Sequence, residues 1–203
     1  MNNSLDQKTL KPDNKKEELE KIKEGVIRLL QQHNIPFENW GQGTAKTLDH
    51  LVKEVAEGEA VLEMLESGKL VRKVSITYID VYYTNPETKK RFKLVEEKQI
   101  FKDGRERKRT LEGSLAQKIK AGEIPNKDMI NRAIQEELGI TGEVPAIPKG
   151  TGEISQDSPS FPGLKMHAKH YLFEIELEDS QYNDQGYTEH QIDKDTYFKW
   201  TPL

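Results

Sequence analysis

The chain reads as an α+β protein. A mixed-sheet α/β sandwich domain with flanking helices is expected over residues 69–203. It follows a helical N-terminal arm at 14–68 and a disordered segment at 1–13. Three observations carry this. The apolar period changes from helical to strand-like near residue 70, Asp103-Gly104 is a strong hairpin turn, and a helix-period stripe at 126–138 lies between strand-like runs. Strands, then a helix, then strands is the element order of a mixed α+β domain.

The arm begins with a polar, aperiodic stretch of the kind that cannot bury enough apolar surface to order itself. Asp13 or Asn14 is suited to cap a helix starting near Lys15, and Leu19, Ile22, Val26, Leu29, Leu30 and His33 then share one face. Asn34 and Pro36 stop it, and Phe37 and Trp40 read as packing anchors. A second helix starts near Thr47, with Leu48, Leu51, Val52 and Val55 on one side. Gly58 interrupts it, and Ala60 to Leu65 resumes the helical pattern until Gly68. These stripes need a surface to bury against: the following domain, the wall of a substrate pocket, or a second copy in a homodimer.

Val71 to Tyr83 is rich in β-branched and aromatic residues, as strands are. Val74, Ile76 and Tyr78 alternate in one phase and Ile79, Val81 and Tyr83 in the other, so the strand has a bulge or is buried on both faces. Asn85 to Thr88 is a turn and Arg91 to Phe101 a second strand. After Asp103-Gly104, Arg105 to Leu111 forms a third. Residues 112–125 are expected as a loop, Asn126 to Leu138 as a helix, Lys165 to Leu177 as a strand with Tyr171, Phe173, Ile175 and Leu177 on one face, and Tyr197 to Trp200 as a last short strand.

Composition narrows the function. The balance of 31 basic and 35 acidic residues gives a net charge of −4, which calls for neither nucleic acid nor an anionic membrane as partner. With no cysteine there are no disulfides and no thiolate metal sites. The expectation is a protein of a reducing cytoplasm. No secretory h-region is visible at Met1 to Lys16, and no run approaches the ~20 apolar residues of a membrane span.

The most informative chemistry lies in Gly122-Glu123 followed by Arg132-Ala133-Ile134-Gln135-Glu136-Glu137-Leu138-Gly139-Ile140. Glu136 and Glu137 diverge by about 100° on a helix, so they can meet one hard cation or bridge two. Arg132 stands four residues before Glu136 and can orient it. Glu123 can add a carboxylate from the preceding loop. Magnesium or manganese held there would neutralise a pyrophosphate and activate water. The same residues also read more plainly. Met129, Ile130, Ala133, Ile134 and Leu138 form an apolar stripe, the two glutamates its solvated side, and Gly139 its C-terminal cap.

Residues 132–140 resemble the Nudix box, in which a glycine, five residues, a glutamate and seven residues precede Arg-Glu-apolar-any-Glu-Glu-any-Gly-apolar. Arg132, Ile134, Glu136, Glu137, Gly139 and Ile140 match. Ala133 replaces the first helical glutamate, Glu123 is eight residues from Arg132 rather than seven, and Gly113 corresponds to the early glycine. The resemblance covers roughly 69–203 and is sharp only over 132–140. It implies a divergent Nudix-like protein that uses Mg²⁺ or Mn²⁺ to cleave nucleoside-diphosphate-linked or other pyrophosphate substrates. Glu136, Glu137 and Arg132 would then be catalytic, Glu136, Glu137 and Glu123 would hold metal, and Arg109 would bind substrate. Ala133 motivates the alternative of a catalytically inactive ligand-binding or protein-interaction module. If Ala133 removes a metal ligand, another acid such as Glu112 or Glu123 must replace it.

The remaining charged clusters have plain readings as well. Arg105, Arg107, Lys108 and Arg109 either guide phosphate or decorate an exposed strand against edge pairing. His167 and His170 face opposite sides of a strand and make a poor metal pair. Glu178, Asp179 and Asp184 offer a further acid or simply a solvated loop.

Overall fold

The computed structural model describes residues 12–43, 45–108 and 113–203. These form two compact units, one comprising residues up to Lys73 together with Ser155–His167, the other Val74–Ile154 with Ala168–Leu203. The fold class is the expected one, a mixed sheet with flanking helices. No helix among the described residues is long and apolar enough to cross a membrane.

In the first unit, helix α1 spans Pro12–Gln32 and α2 spans Leu48–Ala56. The segment expected to be disordered lies outside the described residues as far as residue 11. The helix starts earlier than the Asp13/Asn14 cap predicts, because proline's fixed φ and missing N–H suit a first helical turn. Asn34 ends it as expected: its φ of 52° is left-handed, and the Ile35 N–H reaches back to the Leu30 carbonyl at 2.9 Å. Thr47 caps α2 by accepting from the His50 N–H. The stripes of α1 and α2 bury within their own unit, where Val26, Leu30, Leu51 and Val52 gather with Trp40, Leu70, Phe161 and Leu164. Trp40 packs 5.0 Å from Phe161 and donates its indole N–H to the Pro162 carbonyl at 2.9 Å. Glu54 and Arg72, both buried, form an ion pair that Lys46 completes at 2.8 Å.

One expectation for the arm fails. Ala60 to Leu65 does not resume a helix; Ala60–Met64 is strand β1, paired with β2, Leu70–Thr84. Gly58, at φ 75°, has already turned the chain out of the helix, and five residues are too few to renucleate one. The phase flip in β2 reflects burial on both faces at 70–75, after which Thr77, Ile79, Val81 and Tyr83 point inward.

The strands of the second unit follow the order β6-β7-β2-β3-β9-β8, with β5 also on β2 and β4 also on β3. Here β3 is Arg91–Phe101, β4 Glu106–Arg107, β5 Leu115–Ile119, β6 Ala146–Asp157, β7 Lys165–Leu177, β8 Tyr187–His190 and β9 Lys194–Pro202. The Asp103-Gly104 hairpin forms, with Asp103 accepting from the Arg105 N–H at 3.1 Å. Its second strand is only two residues within the described part, and residues 109–111 lie outside it. The expected loop 112–125 contains β5, and strands β6 and β8 were not anticipated. One sheet face carries Ile79, Val81, Leu94, Leu115, Ile175, Leu177 and Phe198, which enclose the apolar stripe of α3, Lys127–Leu138. On the other face Arg91 stacks 3.9 Å over Tyr82 and pairs with Glu174 at 3.0 Å and Glu176 at 2.9 Å.

Two outcomes follow from this packing. Gly186 has φ 78°, and a Cβ there would meet the Phe198 carbonyl oxygen at 2.0 Å. Gly186→Ala should therefore cost about 2–4 kcal/mol, read as a fall in thermal midpoint. An unchanged midpoint would refute the close approach. The Arg91 guanidinium holds the Glu174 carboxyl below the usual carboxylate range. A depressed pKa contributes stability that is present above the unfolded value and is lost as pH falls through the folded one. Wild type should lose this component below about pH 4.5, and Arg91→Met should show a flatter melting profile across the same window.

Candidate functional site

Strand β5, the loop at 120–126 and α3 build the box. Gly113 precedes β5 where its backbone passes close to β2; a Cβ would lie 3.1 Å from Tyr78 Cβ and 3.2 Å from the Ile79 nitrogen. The adjacent Ser114 hydroxyl accepts from the Val81 N–H at 3.0 Å and donates to the Leu94 carbonyl, fastening the start of β5 to two strands. Asn126 caps α3 by accepting from the Met129 N–H at 3.0 Å, and Asn131 ties it to the following loop through the Val144 N–H. Gly139 closes the helix in the left-handed conformation, φ 69°, before buried Ile140.

This frame fixes what each box residue faces. Ile130, Ala133, Ile134 and Leu138 are buried at 2, 1, 0 and 7% exposure. Ala133, at the position where the Nudix box it resembles has a first helical glutamate, belongs to the apolar core. Glu136 is exposed and Glu137 half-buried. The Arg132 Nε lies 3.9 Å from Glu136 Oε1, with both side chains more than half exposed. Such a pair is worth about 0–1 kcal/mol. Glu123 is exposed in a turn closed by its N–H to the Lys120 carbonyl. Among the described residues, no three His, Asp or Glu side chains gather to hold a metal ion. Glu136 and Glu137 present two carboxylates on adjacent positions, a donor set that fits a hard cation only when water and ligand oxygens complete the shell. Arg109 and Glu112 lie outside the described residues.

The other sequence candidates have local partners of their own. Arg105 pairs with Asp103 at 2.8 Å and Lys108 with Glu106 at 3.5 Å, so part of the basic hairpin is locally neutralised. His170 is buried edge-on to Tyr78 at 5.1 Å. The loop bearing Glu178, Asp179 and Asp184 is pinned by Trp200, which donates to the Asn183 carbonyl, and by Tyr187, which donates to that of Gln181. Burial pushes the Tyr187 phenol up to about 12, so it stays a donor. Sequence reasoning missed a polar group on the sheet face that carries α3: Gln99 and Thr196, each 2% exposed, and Glu189, which burial holds above the usual carboxylate range. No local motif marks these residues; strand register assembles them.

No protein-family model matches the chain, and no curated protein matches it. Two solved structures of C. elegans Ap4A hydrolase, one a binary complex, match with 12% and 16% identity. Each match covers 63% of this chain and 79% of the other, with a TM-score of 0.34. Likeness at that level carries no argument about function, which rests on the chain's own residues.

Ala133→Glu tests the burial directly. Introducing the glutamate of the Nudix box would place a carboxylate among Ile130, Ile134 and Leu138, and should destabilise by roughly 3 kcal/mol or more. A variant that melts like wild type and gains turnover would show instead that position 133 reaches water.

Proposed function

We propose that the second unit is a Nudix-like module that binds a diphosphate-bearing, nucleotide-like small molecule together with Mg²⁺ or Mn²⁺ through Glu136 and Glu137, without efficient hydrolysis. The observation that carries this is Ala133, buried at 1% exposure where a hydrolytic box needs a water-facing glutamate. A cation at the two remaining carboxylates supplies charge neutralisation for the diphosphate. In this reading exposed Arg132 would orient Glu136, Glu123 would add negative charge from the loop, and Arg109 would contribute a phosphate contact. Losing one carboxylate next to a metal costs orders of magnitude in rate while leaving part of the affinity, because geometry is more demanding for the transition state than for binding.

A second reading is favoured by what α3 retains. Glu136 and Glu137 lie outside the apolar core and Gly139 keeps its left-handed cap, so metal-dependent phosphoanhydride hydrolysis is the competing activity. One experiment separates the two. Wild type and Glu136→Gln/Glu137→Gln are titrated with Mg²⁺ and Mn²⁺ by calorimetry, with and without nucleoside-diphosphate-linked compounds, while phosphate release is assayed in parallel. Cation-dependent ligand binding lost in the double variant, with no release above background, is the expected result. Release that disappears in Glu137→Gln overturns the binding-only reading in favour of hydrolysis. Identical behaviour of wild type and double variant would sink both.

A further inference from the structure

We propose that Gln99, Thr196 and Glu189 form a second site in this unit, for a hard divalent cation, separate from the carboxylates of α3. The site is read from strand register. Gln99 of β3 is directly opposite Thr196 of β9, and Thr196 is directly opposite Glu189 of β8. Directly opposed residues of antiparallel strands share a face, with Cβ atoms about 5 Å apart. The three side chains therefore form a row with the shortest in the middle, and the longer Gln99 and Glu189 can lean toward Thr196 from either side. Phe198, two residues beyond Thr196, places the row on the face that α3 covers.

One oxygen in this row lacks a partner. Gln99 Oε1 is fully buried and makes no hydrogen bond, while the buried Thr196 hydroxyl engages the Glu189 carboxylate. A buried polar atom left so is rare and costly. The orientation of the Gln99 amide has a cause: its nitrogen faces Glu96 Oε2 at 3.5 Å, which turns its oxygen away from that carboxylate. Glu189 supplies the charge, and Gln191 steadies it by donating to Oε1 at 2.6 Å. A carboxylate, an amide carbonyl oxygen and a hydroxyl are an oxygen-only donor set, the kind magnesium and calcium take, with water filling the remaining positions. The basic neighbours on this face are Arg107, opposite Gln99 on β4, and Lys194, two residues before Thr196. With one carboxylate as a ligand, Glu96 as a second carboxylate nearby and these cations offsetting it, the site belongs to the weak end of the calcium range, about 10⁻⁴–10⁻³ M.

The test uses the full chain stripped of metal and titrated with Mn²⁺, free ion being read by electron paramagnetic resonance. Wild type, Glu136→Gln/Glu137→Gln, Glu189→Gln and Thr196→Val are compared, with thermal melts of each before and after Mn²⁺. The expected result is a saturable site that persists in the Glu136/Glu137 double variant and weakens about tenfold or more in Glu189→Gln and Thr196→Val. Thr196→Val should lose the metal-induced rise in midpoint. Binding that vanishes in the α3 double variant but survives in the row variants overturns the proposal and assigns the cation to the box. No saturable binding up to about 10 mM overturns it as well.

Discussion

The structure of the second unit depends on burying one stripe of a short helix. A helix of 12 residues is marginal in water, so α3 exists because Ile130, Ala133, Ile134 and Leu138 pack against β2, β3, β5, β7 and β9. Each fully buried isoleucine or leucine contributes about 1.5–3 kcal/mol, whereas the exposed Arg132–Glu136 pair contributes about 0–1 kcal/mol. Packing therefore sets the rotation of the helix, and electrostatics has little say. Once the stripe is seated, position 133 must face the core, 136 must face water, and 137 sits on the border. The chemistry available to the box is a consequence of that rotation.

A second constraint acts on the same sheet face. Strand β3 points Leu94 and Glu96 toward α3. Without interruption, Lys98 would follow and Gln99 would face the other side. The irregularity between Glu96 and Lys98 in its pairing with β9 shifts the phase by one residue. One extra residue in a strand moves everything after it to the opposite face. So Gln99 turns inward opposite Thr196, and a face that is apolar under most of α3 becomes polar toward β8. Bulges re-aim side chains at a cost to the ladder, and this one aims an amide oxygen at a place where the protein itself gives it no partner.

How much of this the sequence shows depends on how local each signal is. α2, α3, β2, β3, β7 and the Asp103-Gly104 turn are carried by period and turn chemistry within one segment, and they are legible. β1 is not, because Ala60, Leu62, Glu63 and Met64 are good helix formers that pairing with β2 overrides. β6 is hidden by Pro148, Gly150 and Gly152, which an edge strand tolerates, and β8 is only four residues long. The Nudix-box resemblance could be noticed because residues 132–140 are neighbours on one segment, though the burial of Ala133 emerges only from packing. The row of Gln99, Thr196 and Glu189 was invisible for the opposite reason. Its members come from three strands, and a single irregularity decides whether they meet.

The two groups of acidic residues therefore stand in different physical situations. Glu136 is bathed in water, where a carboxylate needs no partner and a cation must compete with bulk solvent for it. Glu189 is half-buried, in the same row as the fully buried and unpartnered Gln99 amide oxygen, and burial raises the cost of its charge. A cation arriving at an exposed carboxylate gains only a screened attraction. At the row it would relieve two unfavourable terms together: the desolvated charge and the unpartnered amide oxygen. The unpartnered amide oxygen lowers the stability of the metal-free sheet, and that same deficit is free energy a correctly sized ligand would recover. On this reasoning the buried polar row, rather than the familiar-looking helix, is where the second unit has most to gain from binding.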